Sequence, residues 1–296
     1  GSLEQNLDRK NSSLGWGIFY CVVNVGAAIG PVLANVIRHD FSWQALFFTA
    51  AAVMSLNYLM LFTFKDFQSG ADKTIHAGQV LMRTLRTLGD WRLAAWLAIM
   101  SCFWLMMYTL WDLHPNFLTD WNDSGGLASF FRASPLLPDK WALDTDRGLQ
   151  VPQEILLNLN AVMIVLLMIP VSWLVRKMKT LESMVIGMGM ATVGILVAGL
   201  TNVGWVFLLG VVVFSLGEML TGPKKNEYLA LIAPRDKKGL YLGFVNIPVG
   251  VGGLVGSNLQ GYFYGHFGEK AVLAQKYLAE HAPGAGGWDG KLGSLE

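Results

Sequence analysis

The hydrophobic residues of this 296-residue chain fall into long apolar segments that short polar stretches separate. Most segments are near 20 residues, the length an α-helix needs to cross a hydrocarbon core about 30 Å thick. The seven segments are Leu14–Ile37, Phe41–Phe64, Leu93–Trp111 with an extension, Ile155–Val175, Ser183–Val203, Gly204–Pro223 and Leu240–Phe267. The pattern predicts an all-α, polytopic membrane protein with about seven transmembrane helices.

The composition favours the same class. Hydrophobic residues make up 53% of the chain and charged residues 15%, whereas soluble domains carry about 25% charged residues. The first apolar segment is too long for a cleaved signal peptide, whose apolar region usually spans about 7–15 residues. A net charge of +1 gives no reason to expect a nucleic-acid partner.

The basic residues predict an orientation in the membrane. Lys and Arg in one set of alternating loops outnumber those in the other set by about two to one, and such an excess marks the cytoplasmic side. The richer set includes Lys65–Arg92, Arg176–Lys179 and Lys224–Lys238. We therefore expect an integral membrane protein, in the cytoplasmic (inner) membrane if bacterial, with its N-terminus inside and its C-terminus outside.

Two connections are longer than hairpins. Residues 65–92 mix charges with an amphipathic stretch from His76 to Arg86, which favours a helix along the cytoplasmic surface. Residues 119–154 are polar, are interrupted by glycines and prolines, and carry the aromatic residues Trp121 and Trp141. This composition indicates an outer loop that is partly ordered at best, and residues 268–296 form an outer tail.

Glu218 lies inside an apolar segment and is the main candidate for chemistry. The stretch from Gly204 to Gly217 would be about 21 Å long as a helix, too short to cross alone, so the helix must continue through Glu218. A carboxyl group within the membrane costs about 2.5–3.5 kcal/mol on insertion scales and usually faces a cavity or a partner. Glu218 either reaches the cytoplasmic headgroups or binds a proton or a substrate in a transporter.

Enzyme and cofactor motifs are not found in the sequence. The five histidines form no HExxH pair, and no GxSxG nucleophile motif occurs. Cys21 and Cys102 lie within spans and suit packing, so neither a disulfide framework nor a metal site is expected. Four pairs of glycines have GxxxG spacing, which favours close packing of helices within the chain. They are Gly26–Gly30, Gly239–Gly243, Gly252–Gly256 and Gly261–Gly265.

Two motifs carry a family resemblance. The segment Phe19–Pro31 resembles the fifth helix of major facilitator superfamily transporters, and its Phe-Tyr-x-x-x-Asn-x-Gly pattern is similar to their proton-coupled oligopeptide branch. The segment Gly217–Pro223 and the later Gly239–Gly243 resemble the tenth and eleventh helices. The resemblance implies a partial helical bundle covering helices five to eleven of twelve. Residues 1–64 would then end the N-terminal half, 65–92 link the halves, and 93–267 belong to the C-terminal half.

The resemblance also implies a mechanism. Glu218 matches the acid that couples protonation to substrate binding, around a site at the middle of a rocking bundle.

Asn24 either holds a polar ligand or makes an interhelical hydrogen bond. Asp112 is near the outer boundary and is either an external cap or a gate or proton-entry residue, and His114 at the same boundary is a second proton candidate. Tyr20, Tyr108 and Trp111 line the cavity or pack, and the candidate hinges are Gly30, Pro31, Pro223 and Pro248.

The function expected from this resemblance is secondary active transport. The preferred hypothesis is proton-coupled uptake of a small polar solute, such as a short peptide, by a monomer in the lipid bilayer. A drug or metabolite proton antiporter and a non-transporting membrane receptor or assembly factor are the alternatives. Because four helices before it and one after it would be missing, the chain is not expected to transport a solute alone.

Overall fold

The computed structural model describes residues 12–62, 77–234 and 237–281, and they form an α-helical bundle. The first half of the chain contains α1 (Ser12–Asp40), α2 (Trp43–Leu61), α3 (Ala77–Thr87), α4 (Trp91–Tyr108), α5 (His114–Asp120) and α6 (Gly125–Ala133). The second half contains α7 (Gln153–Val175), α8 (Thr180–Ala198), α9 (Gly204–Ile232), α10 (Lys238–Gly243), α11 (Ile247–Phe267) and α12 (Lys270–His281). The prediction of an all-α fold is confirmed.

Six of the seven predicted spans coincide with segments that are long and apolar enough to cross a membrane. These six segments run from Gly17 to Ala34, Trp91 to Asp120, Gln153 to Val175, Thr180 to Ala198, Gly204 to Ile232 and Gly239 to His281. The remaining span contains α2, a helix of 19 residues that is not among the six. Large apolar side chains such as Leu166 and Leu254 are 68% and 71% exposed on the outside of the bundle, as lipid contact requires.

Glycines let α8 and α9 pack backbone against backbone. A Cβ atom at Gly194 would collide with the backbone of Phe214, and one at Gly210 would collide with Ala198. Gly217 is pressed against Ala191 in the same way. Small residues at a helix interface permit this close approach, which places α9 in the centre of the bundle.

The predicted GxxxG pairs are mostly not packing sites. Gly252 and Gly256 do contact α4, where a Cβ atom would meet Trp104 and Leu105. Among the described residues, a Cβ atom at the other six glycines of these pairs would meet nothing within 4 Å. The expectation of packing within the chain therefore holds for one pair and is wrong for three, because the spacing does not reveal which helix face meets a neighbour.

The helix that contains Glu218 is longer than predicted. It continues through Pro223 to Ile232, so Lys224 and Lys225 lie within α9 and not in a loop. The residues after Pro223 include Lys, Glu, Leu and Ala, which are strong helix formers. Leu229 is fully buried and holds this last part of the helix against the bundle.

Two spans are interrupted. The predicted span from Leu240 to Phe267 contains a 3₁₀ turn at Phe244–Asn246, directly before α11. Pro248 stands at the start of α11 and has no backbone N–H to donate to the preceding turn. The second interruption is a π-helical turn, Thr109–Leu113, between α4 and α5. Single π turns are frequent at functional sites.

The connection 119–154 is more ordered than predicted. Besides α6, it contains an antiparallel hairpin of β1 (Leu143–Thr145) and β2 (Gly148–Gln150). Gln150 Oε1 accepts hydrogen bonds at 2.8 Å from both the backbone N–H and the hydroxyl of Ser124. Asp123 Oδ1 accepts from the backbone N–H of Gly125 at 2.9 Å, which lowers the pKa of Asp123 below its usual value. These hydrogen bonds order the connection, although part of it is not helical.

The helix α1 packs along α7 and so reaches α9. Gly17 lies against Ser172, and the Cys21 thiol donates to the carbonyl of Val165 at 3.6 Å. Further along, Asn158 Nδ2 donates to the carbonyl of Ala28 at 3.1 Å. The predicted linker forms α3 from Ala77, whereas residues 63–76 and the tail beyond residue 281 lie outside the described part of the chain.

Candidate functional site

Glu218 is buried between three helices. Its side chain on α9 is 7% exposed. One carboxyl oxygen accepts a hydrogen bond from the Tyr20 hydroxyl of α1, and the other accepts from Asn160 Nδ2 of α7 at 2.9 Å. The carboxyl group therefore lies inside the bundle and does not reach an exposed helix end.

Asn160, which donates to Glu218, is itself held by Ser215. Asn160 Nδ2 also donates to Ser215 Oγ at 3.0 Å, and Ser215 Oγ donates to the carbonyl of Val211 at 2.7 Å. Asn160 is 2% exposed and Ser215 is fully buried. Neither residue was predicted from the sequence, although an amide within an apolar span is the kind of signal that finds such a partner.

Tyr20 reaches Glu218 because Gly222 leaves room for its ring. A Cβ atom at Gly222 would come within 3.0–3.3 Å of three ring carbons of Tyr20. Gly222 follows Glu218 by one helical turn, so both lie on the same face of α9. Asn24, one turn after Tyr20 on α1, is 8% exposed and donates from Nδ2 to the carbonyl of Tyr20 at 2.9 Å. This hydrogen bond lies within α1, so it is not the interhelical hydrogen bond that was one of the two predictions for Asn24.

We expect Asn160→Ala to lower the free energy of unfolding by about 1–3 kcal/mol, because buried oxygens of Ser215 and Glu218 lose their donor. Asn116→Ala is the matched control, since Asn116 is exposed and donates only to a carbonyl of its own segment. Thermal unfolding of both variants in detergent measures the difference. Equal loss in the two variants would show that the Asn160 contacts do not stabilise the bundle.

Lys225 brings a second charge to the inner face of α9. It follows Glu218 by seven residues, about two helical turns, and so shares its face. The Lys225 ammonium lies 4.6 Å from the centre of the Trp104 ring on α4, and Trp104 contacts Tyr108 at a ring distance of 6.0 Å. Lys225 was not predicted from the sequence, because a Lys-Lys pair after a proline is typical of a loop.

The other predicted site residues form a separate group at the π turn. Asp112 is half-buried and accepts a hydrogen bond from Ser257 Oγ of α11. Trp111 is 43% exposed. No hydrogen bond or ring contact among the described residues joins Tyr108, Trp111 or Asp112 directly to Glu218. The structure thus brings together Tyr20, Asn24 and Glu218. Tyr108 lies beside Trp104, whereas Trp111 and Asp112 are at the π turn.

Gln260 of α11 also contacts the π turn. Its Nε2 donates to the carbonyl of Leu105 and to Thr109 Oγ1, each at 3.1 Å. His114 is 2% exposed, and its Nδ1 contacts the carbonyl of Thr109 at 2.9 Å. The imidazole is therefore buried, whereas the sequence predicted it at the outer boundary of the membrane. Within the described residues, no group of His, Cys, Asp and Glu is arranged to hold a metal ion.

The four predicted hinge residues differ in their backbone surroundings. α1 continues through Gly30 and Pro31, and α9 continues through Pro223. Pro248 instead follows a 3₁₀ turn at the start of α11. Their role as hinges stays a prediction.

The sequence is similar to that of known membrane transport proteins. Residues 125–275 match the family model described as Major Facilitator Superfamily. The chain is 24% identical over 257 residues to the "Uncharacterized MFS-type transporter YttB" of Bacillus subtilis (strain 168), covering 86% of this chain and 58% of that protein. The chain thus spans somewhat more than half the length of this relative. No solved structure matches it. Because the family model covers more than half of the chain, the protein belongs to the Major Facilitator Superfamily, and it is an integral membrane protein.

Proposed function

We propose that the chain is part of a secondary active transporter that couples proton movement to the transport of a small polar solute. The observation that carries this proposal is the buried carboxyl group of Glu218, held between Tyr20 of α1 and Asn160 of α7. A buried ionisable residue in a membrane helix is costly and is usually functional. The relative in Bacillus subtilis, named as an MFS-type transporter, supports a transport role.

Protonation of Glu218 would change its contacts. An ionised carboxylate only accepts hydrogen bonds, whereas the protonated group also donates one. Tyr20 and Asn160 both donate to the carboxyl group, so a proton on either oxygen removes the negative charge and weakens the hydrogen bond accepted there. The contact with Tyr20 is therefore sensitive to the charge on Glu218.

This contact crosses the boundary between the two halves of the assigned bundle. We assign residues 1–64 to the end of the N-terminal half, 65–92 to the linker and 93–267 to the C-terminal half. α1 then belongs to one half and α9 to the other. Alternating access moves one half against the other around a central site. Release of Tyr20 on protonation of Glu218 would bias that movement, which couples the proton to transport.

The solute would bind near Lys225 and the aromatic side chains of α4. Lys225 lies on the same face of α9 as Glu218. The ring of Trp104 lies beside the Lys225 ammonium, and the ring of Tyr108 lies beside that of Trp104. A cation, a carboxyl group and aromatic rings suit a small solute with both polar groups and an apolar body, such as a short peptide. Asn24 supplies an additional amide from α1.

Uptake of labelled dialanine into proteoliposomes of the full-length transporter tests the proposal. Inward proton flow should drive accumulation above the external concentration, and an uncoupler should abolish it. Solute uptake that is driven only by outward proton flow, with solute entering as protons leave, would instead support the antiporter alternative. Absence of transport for dialanine and for other small polar solutes would support a receptor or assembly factor.

We also predict the orientation from the basic loops. Single cysteines at Lys177 and Asp144 should react with a membrane-impermeant thiol reagent from opposite sides. Both positions are exposed, one after α7 and the other in the hairpin. Whole-cell labelling should modify the Asp144 position only, and labelling of lysed cells should modify both. Reaction of both positions in whole cells would contradict the orientation.

A further inference from the structure

A cavity of about 770 Å³ lies where the end of α3 meets the starts of α4 and α10. Arg86, Asp90, Pro234, Lys237 and Tyr241 are among the residues that line it. Its volume is within the usual range of ligand sites, roughly 300–1,000 Å³. The cavity is at the end of the bundle that the basic loops mark as cytoplasmic, and it is separate from the Glu218 site.

The cavity carries an excess of positive charge. Arg86 and Lys237 line it, and neither side chain forms a salt bridge with a carboxylate among the described residues. Asp90 is the one acidic residue among the described residues that line it. Its Oδ2 accepts from the Tyr241 hydroxyl at 2.6 Å, and its Oδ1 accepts from the backbone N–H of Arg92 at 3.0 Å. Both oxygens of Asp90 therefore accept hydrogen bonds, and the side chains of Arg86 and Lys237 are available to bind an anion.

The side chains around the cavity are typical of the membrane interface. Trp91, at the first position of α4, is 73% exposed, and its ring lies 5.9 Å from the guanidinium carbon of Arg92. Met82 and Leu85 of α3 are each 52% exposed. Exposed tryptophan, arginine and an amphipathic helix occur together at the level of lipid headgroups. The opening of the cavity therefore lies where phosphate groups are concentrated.

We propose that this cavity binds a phosphate group, through Arg86 and Lys237. The planar guanidinium of Arg86 matches two phosphate oxygens, and Lys237 supplies a point charge. The group is carried either by an anionic phospholipid headgroup of the cytoplasmic leaflet or by a free phosphate. Pro234 and Leu240 add apolar surface beside the two cations, which suits the glycerol end of a lipid. This site does not depend on the transport mechanism proposed above.

Native mass spectrometry of the chain with an equimolar mixture of phosphatidylglycerol and phosphatidylcholine tests the proposal. We expect retained phosphatidylglycerol to exceed phosphatidylcholine. The double variant Arg86→Gln/Lys237→Gln should lower that preference by about 25-fold, because each basic side chain near an anionic lipid contributes roughly a factor of five. The double variant Lys177→Gln/Lys179→Gln removes the same charge from another loop on the predicted cytoplasmic side and should keep the preference.

Calorimetry with inorganic phosphate distinguishes the two sources. Binding of free phosphate that the Arg86→Gln/Lys237→Gln variant loses would assign the site to a soluble phosphate. Binding of phosphatidylglycerol alone would assign it to a lipid. Circular dichroism of each variant checks that the helices form. An equal loss of lipid preference in the two double variants would overturn the proposal, as would the absence of both ligands from the correctly folded protein.

Discussion

Proton-driven accumulation of solute should fall to background in the Glu218→Gln variant. Glutamine keeps the size of the side chain and accepts from Tyr20 at its carbonyl oxygen, but it does not titrate. The amide also replaces the acceptor that Asn160 uses with a donor, so that contact is lost. Proton coupling needs a group that gains and loses charge, and Glu218 is the buried carboxyl group that α1 and α7 both contact.

The decisive measurement compares two modes of transport in proteoliposomes of the full-length protein. Exchange of labelled for unlabelled solute requires no net proton movement, so Glu218→Gln should retain exchange while losing accumulation. Glu182→Gln is the matched control, because Glu182 is an exposed carboxylate in the first turn of α8. If accumulation in the Glu218→Gln variant matched that of the control, the assignment of Glu218 as the coupling acid would be wrong.

Gly194→Leu should prevent the bundle from forming its central helix pair. The side chain would occupy the space of the Phe214 backbone, and a backbone cannot move aside as a flexible side chain does. Overpacking within a well-packed core costs about 1–3 kcal/mol and occasionally more, and contact with a backbone belongs at the upper end. We expect loss of the monodisperse species in size-exclusion chromatography.

Gly189→Leu provides the control on the same helix. A Cβ atom at Gly189 meets no described residue within 4 Å, so leucine there should be tolerated. Both variants remove a glycine from α8 and add the same apolar side chain, so their intrinsic helix propensities and lipid solubility change equally. A Gly194→Leu protein that unfolds at the same temperature as the Gly189→Leu protein would contradict the close packing of α8 on α9.

The sequence alone predicted the helices, because the bilayer imposes a length and an apolar composition that can be counted along the chain. It also identified Glu218, since a charge within an apolar segment is conspicuous. The extension of α9 past Pro223 was missed because proline usually ends a helix, whereas here strong helix formers follow it and Leu229 is buried. The order of the connection 119–154 was missed because short polar contacts, such as those of Gln150, have no periodic pattern.

The neighbours of Glu218 were decided by the tertiary structure. Tyr20 precedes it by 198 residues and Asn160 by 58, and both meet it only because α1 and α7 pack against α9. The roles of the glycines were also decided by packing. Gly194 and Gly26 cannot be told apart from the sequence, but of the two only Gly194 faces a neighbouring backbone. Spans and isolated charges are properties of one segment in lipid, so the sequence determines them. A binding site is a property of several helix faces, and their rotation and depth are set by packing between segments.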